Sequence, residues 1–142
     1  MRKLIFLIIN FLFVLIVFSQ KIPAEKCYYP IFIEEFGYLN DFELNKETKI
    51  QLQNTFIIKV YDCLGELDIS IFSKDSVLLE NGHYCNASDT AIGNFTMYDE
   101  NMNEIEIEKK FIKPQKDGIW YWYDKSGIIL QKKYYKKGKE LN

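Results

Sequence analysis

Hydrophobic and polar residues alternate along much of this chain, and the alternation predicts β-strands. Residues 68–72 read Asp-Ile-Ser-Ile-Phe, and residues 104–108 alternate glutamate with isoleucine. Residues 56–61 are β-branched and aromatic, apart from one lysine, a composition typical of strands. After the N-terminal segment, no stretch of ten or more residues has a helical period. The pattern predicts seven or eight strands joined by short turns, an all-β antiparallel meander.

The dipeptide Asn81-Gly82 lies between the apolar run Val77-Leu78-Leu79 and the pair His83-Tyr84. Asn-Gly is a strong signal for a two-residue hairpin turn, since both residues tolerate positive φ. The sequence therefore predicts a hairpin that turns at Asn81-Gly82.

The clearest strand pair lies in residues 118–138, which read GIWYWYDKSGIILQKKYYKKG. Because side chains alternate along a strand, Trp120 and Trp122 point to one face, and Tyr121 and Tyr123 point to the other. The following Asp-Lys-Ser-Gly is turn chemistry, since aspartate caps a turn and glycine tolerates positive φ. A lone hairpin is marginal in water, so this one must pack against other strands.

A partial copy of this hairpin precedes it, in residues 93–113. The two stretches are offset by 25 residues (118 − 93), and the offset aligns Tyr98-Asp99 with Tyr123-Asp124. A weaker copy, again Tyr-Asp followed by glycine and leucine, lies in residues 60–67. The chain therefore reads as a short series of related hairpins.

The pattern G-x-W-x-W-Y-D-x-x-G-x-I, followed by Y-Y-x-x-G, resembles the bacterial variant of the MORN repeat. The resemblance implies stacked β-hairpins (MORN-like repeats) that form a binding or scaffolding module, with no catalytic residues; some bacterial members are antitoxin-like. In the earlier copy, Met102 replaces the turn glycine, and Phe95 and Met97 replace the tryptophans. The repeats are therefore degenerate, and a short sheet is expected rather than a long array.

The N-terminus predicts export. Met1-Arg2-Lys3 is basic. Residues 4–18 form an apolar run of 15 residues that only Asn10 interrupts, and this is the length of a signal-peptide core. We expect residues 1–19 to be a signal peptide, an N-terminal signal helix cleaved after Ser19 or Gln20, followed by a single β-rich domain of residues 20–142. The alternative is an uncleaved N-terminal helix that tethers the protein to a membrane. Residues 20–55 show no clear pattern overall.

The three cysteines and one histidine limit the chemistry. An exported chain meets oxidising conditions, so one disulfide among Cys27, Cys63 and Cys85 is an option, and three free thiols are the other. No C-x-x-C motif is present, and His83 is the single histidine, so we expect no metal site and no cofactor. Nothing around His83 resembles a nucleophile elbow, and the sequence predicts that the protein is not an enzyme.

Charge is divided unevenly along the chain. Residues 20–108 hold 6 Lys and 17 acidic residues (net −11), whereas residues 109–142 hold 10 Lys and 3 acidic residues (net +7). Lysines interleaved with Tyr134 and Tyr135 can bind phosphates, but an exported protein rarely meets nucleic acid, and we expect no such partner. We interpret these lysines as protection of an exposed sheet edge, or as partners of the acidic strand 104–108 across the sheet.

Aromatic residues of the hairpins are the best binding candidates, because exposed rings stack on sugars or accept an apolar partner surface. The candidates are Tyr98, Trp120, Tyr121, Trp122, Tyr123, Tyr134 and Tyr135. The alternative is that both aromatic rows only pack the repeat.

We predict an exported, non-catalytic protein that binds a protein partner or a cell-envelope glycan or lipid surface. An open sheet edge also allows a homodimer. Two alternatives are a small exported hydrolase that uses His83 with Asp or Glu, and an antitoxin-like inhibitor of a toxin.

Overall fold

The computed structural model describes residues 27–88 and 90–142, so the predicted signal peptide lies outside the described residues. The described part is all-β, built from consecutive antiparallel hairpins, which confirms the predicted fold class. None of its residues forms a helix that could span a membrane. The described residues form eleven strands: β1 (Ile31–Ile33), β2 (Gly37–Leu39), β3 (Glu47–Gln51), β4 (Thr55–Val60), β5 (Leu67–Phe72), β6 (Leu78–Cys85), β7 (Thr90–Tyr98), β8 (Glu104–Ile112), β9 (Gln115–Tyr123), β10 (Ile129–Lys136) and β11 (Lys139–Leu141).

The strands form two sheets. The large sheet has seven strands in the order β11-β10-β9-β6-β5-β4-β3, and every neighbouring pair is antiparallel. The small sheet has four strands in the order β2-β1-β8-β7, and its β1–β8 pair is parallel. The β7–β8 hairpin leaves the large sheet between β6 and β9, which pair with each other. Both predicted repeat hairpins therefore form, as β7–β8 and β9–β10, but they lie in different sheets.

The core lies on one face of the large sheet, which we call the inner face. Every second residue of β4 and β5 is buried there, as the alternation predicts for a strand with one covered face. The loop 40–46 and strands β1 and β2 of the small sheet supply the cover. Burying an aliphatic or aromatic side chain of this size contributes roughly 1.5–3 kcal/mol. The buried set is Ile31, Ile33, Leu39, Phe56, Ile58, Val60, Leu67, Ile69, Ile71, Tyr84, Ala87, Ile112 and Trp120.

The predicted turn at Asn81-Gly82 is wrong. Strand β6 runs through both residues, and the chain reverses earlier, where the Ser73 amide donates to the Val77 carbonyl at 2.9 Å. Gly82 lies beneath the indole of Trp120: a Cβ atom there would be 2.2 Å from Trp120 Cδ2. Gly82 is therefore required for the close approach of a ring rather than for a turn.

The three Tyr-Asp motifs close their hairpins in the same way. One carboxylate oxygen, Oδ1 of Asp62, Asp99 or Asp124, accepts hydrogen bonds from the amides two and four residues later, at 2.8–3.0 Å. The third residue after each aspartate has positive φ: Gly65 at +94°, Met102 at +62° and Gly127 at +78°. The sequence copies are therefore copies of one turn geometry.

A disulfide joins Cys27 to Cys63, which lies in the β4–β5 turn. It ties the N-terminal end of the described chain to the large sheet. Cys85 is the free thiol of the described part.

Candidate functional site

The face of the large sheet opposite the core, the outer face, carries the best candidate surface. Alternation directs there the residues of β5, β6, β9 and β10 that do not enter the core. Three tyrosines lie on adjacent strands of this face: Tyr121 and Tyr123 on β9, and Tyr134 on β10. We call these three residues together with Lys132 the tyrosine face.

Neighbouring side chains hold the rings of the tyrosine face in place. The Tyr121 and Tyr123 centroids are 6.3 Å apart with planes inclined by 32°. Lys132 lies directly opposite Tyr121 in the strand register, and its Nζ is 4.8 Å from the Tyr134 centroid and 5.7 Å from that of Tyr121. The Tyr123 hydroxyl donates to Asn81 Oδ1 at 3.2 Å. The rings therefore form an ordered surface, with Tyr134 itself 46% exposed.

A hydrogen-bonded trio lies on the same face, one strand further along. His83 Nδ1 is 2.8 Å from Asp68 Oδ1, and the Tyr61 hydroxyl donates to Asp68 Oδ2. The hydrogen bond to Asp68 raises the pKa of Tyr61, and burial and the Asp68 charge act in the same direction. Asp68 and His83 are directly opposite each other on β5 and β6, which explains how residues 15 positions apart meet.

The trio has an oriented imidazole but no nucleophile. Across the described residues, no serine hydroxyl or cysteine thiol is hydrogen-bonded to the His83 ring. Cys85 is two residues away on β6, but burial, followed by the charge of Asp117, raises the pKa of its thiol. A raised pKa disfavours the reactive thiolate, so Cys85 is a poor nucleophile at neutral pH.

A charge cluster lies on the inner face, at the edge of the core. Lys116 Nζ is 2.9 Å from Glu35 Oε1, 3.8 Å from Glu80 Oε1, and 4.1 Å from the Trp120 ring centroid. The Tyr84 hydroxyl donates to Glu35 Oε2 at 2.8 Å. The cluster thus holds the ammonium over the buried indole, an arrangement that stabilises a cation as well as the ring.

Burial and mutual charge shift the pKa values within this cluster. Burial, and then the charge of Glu35, raise the pKa of Glu80, although Lys116 opposes them. Burial alone would lower the pKa of Lys116, but its contacts with Glu35 and the charges of Glu80 and Glu34 together outweigh burial and raise it. Burial and the Glu35 charge also raise the pKa of Tyr84. We interpret the cluster as a structural support for Trp120, since each carboxylate serves the central lysine.

An open cleft of about 390 Å³ borders this cluster. The cleft is lined by lysine side chains, a carboxylate and one aromatic ring. It therefore presents both positive and negative charge and does not favour one class of ligand. The lining residues are Glu34, Lys113, Pro114, Gln115, Lys116, Tyr135 and Gly138.

The predicted aromatic residues divide into three groups. Tyr121, Tyr123 and Tyr134 form the tyrosine face. Trp120 is 0% exposed and is a core residue, and Trp122 and Tyr135 pack half-buried beside it on the inner face. Tyr98 is exposed on β7, in the other sheet.

The lysines of the basic tail do not face the acidic strand, contrary to one of the two interpretations above. Strand β10 lies in the large sheet and β8 lies in the small sheet. Lys133 instead pairs with Glu140 on β11 at 2.8 Å.

Sequence reasoning missed Asn81, Asp68 and Tyr61 as neighbours of the aromatic surface. The only local signal was the alternation of polar and apolar residues. Alternation predicts the face of the sheet on which a residue lies, but it does not predict which residue lies beside it on the next strand. The strand register supplies the neighbours, and the wrongly predicted turn at Asn81-Gly82 concealed that register.

No group of three or more His, Cys, Asp or Glu that could hold a metal ion occurs in the part that the structure describes.

The chain matches no protein-family model, and no curated protein or solved structure is significantly similar to it.

Proposed function

We propose that this chain is an exported, non-catalytic binding protein that recognises a protein partner or a cell-envelope surface through the tyrosine face. The observation that supports the proposal is the set of partly exposed rings of Tyr121, Tyr123 and Tyr134 on a sheet whose opposite face packs the core. Tyrosine is enriched in binding surfaces because it offers a large apolar area with a polar end at low entropic cost. The resemblance to MORN repeats favours the same class of function.

Two features support export. The first is the N-terminal pattern, which is typical of a signal peptide. The alternative interpretation of this pattern is an uncleaved membrane tether. The disulfide between Cys27 and Cys63 suits an oxidising compartment such as the periplasm or the cell exterior.

The favoured ligand within this proposal is a glycan of the cell envelope. Sugar rings combine apolar faces with many hydroxyl groups, so they suit aromatic rings bordered by hydrogen-bonding side chains. The tyrosine face has that border, since Asn81, His83 and Asp68 lie on the adjacent strands of the same face. An anionic membrane would favour an evenly basic surface, and the carboxylate of Asp68 opposes it.

The test compares Tyr121→Ala with Tyr98→Ala, an exposed tyrosine on the other sheet. Both variants and the natural protein are immobilised and exposed to envelope glycans and to an envelope extract from the host. We expect Tyr121→Ala to weaken retention by roughly tenfold or more, the size of a hot-spot loss, and Tyr98→Ala to leave it unchanged. Capture of no ligand by the natural protein, or equal losses in both variants, would contradict the proposal.

The second candidate is a small exported hydrolase, and the Asp68–His83 contact at 2.8 Å is the observation that favours it. Asp68 would orient the imidazole, and His83 would act as a general base toward water, since no serine hydroxyl or cysteine thiol of the described part is hydrogen-bonded to its ring. His83→Ala and His83→Gln would both abolish such an activity, whereas glycan binding would survive His83→Gln. An activity on ester or glycoside substrates that persists in His83→Ala would exclude this candidate.

A further inference from the structure

Strand β7 forms an outer edge of the small sheet that lacks the usual protection against pairing. Its nine residues, Thr90–Tyr98, contain no charged residue and no proline. Ile92 is 56% exposed and Tyr98 is 63% exposed. No other described strand pairs with its outer side. Native edge strands usually carry lysine, proline or a short length to prevent association.

The other outer strands of the two sheets have these devices. Strand β3 carries Glu47 and Lys49, and β11 carries Lys139 and Glu140. Strand β2 has only three residues. The contrast marks β7 as the one long, uncharged outer strand among the described residues.

The hydrogen bonds between β7 and β8 decide which backbone N–H and C=O groups of β7 point outward; we call this odd–even alternation the parity of the strand. The Asp99 amide donates to the Asn103 carbonyl, in the same register that pairs Tyr98 with Glu104. Alternate residues of an antiparallel strand direct their N–H and C=O groups to the same side, so the odd-numbered residues of β7 bond to β8. The even-numbered residues, Asn94 at their centre, direct both groups outward. The Ile112 amide, which donates to the Pro30 carbonyl on the far side of β8, agrees with this parity.

We propose that β7 pairs antiparallel with β7 of a second copy of this chain, about a two-fold axis at Asn94. Parity requires that even-numbered residues face even-numbered residues, and this register satisfies it over the whole strand. Asn94 then faces Asn94 of the second copy, and the two exchange both backbone hydrogen bonds. The pairing joins the two small sheets into one continuous sheet.

Side-chain sizes within β7 are complementary in this register. Phe95 faces Gly93 of the second copy, and Met97 faces Ala91 of the second copy, so a large residue meets a small one each time. The Phe111 ring already lies over Gly93, since a Cβ atom there would be 3.0 Å from Phe111 Cε1, so Phe95 of the second copy would pack beside that ring. An aromatic ring lying across an edge glycine is a recognised stabilising pair. The cluster of Phe95, Tyr38 and Phe111 would thus continue across the axis.

Charge does not oppose this pairing. The acidic residues Glu104, Glu106 and Glu108 lie on β8, one strand away from the axis in each copy. The two β8 strands would be separated by three strand spacings, about 14 Å. That distance exceeds the Debye length of about 8 Å at physiological ionic strength, so their repulsion is largely screened.

The test places opposite charges on the proposed axis. Asn94→Lys and Asn94→Asp are made in a bacterial host, because Asn94 begins an Asn-Phe-Thr sequon that a eukaryotic host could glycosylate. Sedimentation velocity over a concentration series then measures self-association. We expect the natural protein to form a weak dimer, each variant alone to associate roughly tenfold or more weakly, and an equimolar mixture of the two to recover dimerisation. Recovery in the mixture requires residue 94 to face residue 94.

Gln51→Lys is the matched control, since it adds the same charge at an exposed amide residue on the outer strand β3. It should dimerise like the natural protein, and so should Tyr121→Ala, which separates this proposal from the tyrosine face. All variants share the same N-terminal segment, so association through that segment would be equal in all of them. A natural protein that stays monomeric at every concentration, an Asn94→Lys variant that dimerises normally, or a mixture that does not recover would each overturn the proposal.

Discussion

Gly82→Ala tests the packing that distinguishes this structure from the hairpin that Asn81-Gly82 predicts. In the structure, the new Cβ atom would lie 2.2, 2.3 and 2.6 Å from three atoms of the Trp120 ring. Trp120 has no free space into which to retreat, because it is 0% exposed, its ring contacts Tyr84 edge-on at 5.1 Å, and Lys116 lies over it. The ring must therefore shift as a whole.

Three contributions determine how much Gly82→Ala lowers the free energy of unfolding. Overpacking a core position of this kind costs about 1–3 kcal/mol. A shifted ring also weakens the hydrogen bond from Trp120 Nε1 to the His83 carbonyl, now 3.1 Å, at about 1 kcal/mol. Alanine is better than glycine in a strand by about 0.5–1 kcal/mol, which offsets part of the loss. These ranges sum to a net loss of about 1–3.5 kcal/mol in the free energy of unfolding, or roughly 4–14 °C in Tm.

Urea unfolding with the disulfide intact measures this loss, and two variants control it. Gly118→Ala changes a glycine with φ of +67° and no atom near its would-be Cβ, so it should cost about 1 kcal/mol from backbone strain alone. In a Trp120→Leu background, Gly82→Ala should cost less than about 0.5 kcal/mol, because the clashing ring is gone. If Gly82→Ala costs about 1 kcal/mol in both backgrounds, the residue is a turn glycine and the packing argument is refuted.

Three further perturbations have defined outcomes. Met102→Gly should raise the free energy of unfolding by about 0.5 kcal/mol in urea, since relief of the left-handed strain at φ of +62° slightly exceeds the entropy lost on folding a glycine. Lys116→Met should cost about 2–4 kcal/mol at neutral pH, because two half-buried carboxylates lose their counter-charge. That loss should shrink as the pH falls through the raised pKa of Glu80 and this carboxylate becomes neutral, which unfolding curves at several pH values would show. Reduction of Cys27–Cys63, which spans 36 residues, should cost about 4 kcal/mol; Cys85→Ser should respond to reductant equally, and intact mass would verify the redox state.

The parts of the fold that depend on local pattern were predictable from sequence. Strands β4 and β5 alternate cleanly because one face of each is covered and the other is not. The turn at Asp124 was predictable because aspartate and glycine at this spacing supply a carboxylate acceptor and a positive φ. Residues 31–39 were not, since β1 and β2 have three residues each, too few to show a period, and take their shape from tertiary contacts.

The candidate site was predictable only in part, because it depends on the register between strands. The faces of Tyr121 and Trp120 follow from alternation, but alternation does not decide which face is buried. That choice is made by Gly82, whose missing side chain admits the indole on the inner face. The meeting of Asp68 and His83 also depends on register, and no local signal reports it.

The same contact explains why two similar hairpins have different places in the fold. Strand β6 has one free side, away from β5, and β9 occupies it because Trp120 fits over Gly82. The earlier hairpin has Phe95 at the corresponding position, packs that ring against Tyr38 in the small sheet, and so forms no such contact with β6. The sequence repeat therefore specifies how each hairpin turns, whereas the Gly82–Trp120 contact specifies which hairpin completes the large sheet. The hairpin that is left out retains an open outer edge on β7, and this is the edge at which we propose that two copies pair.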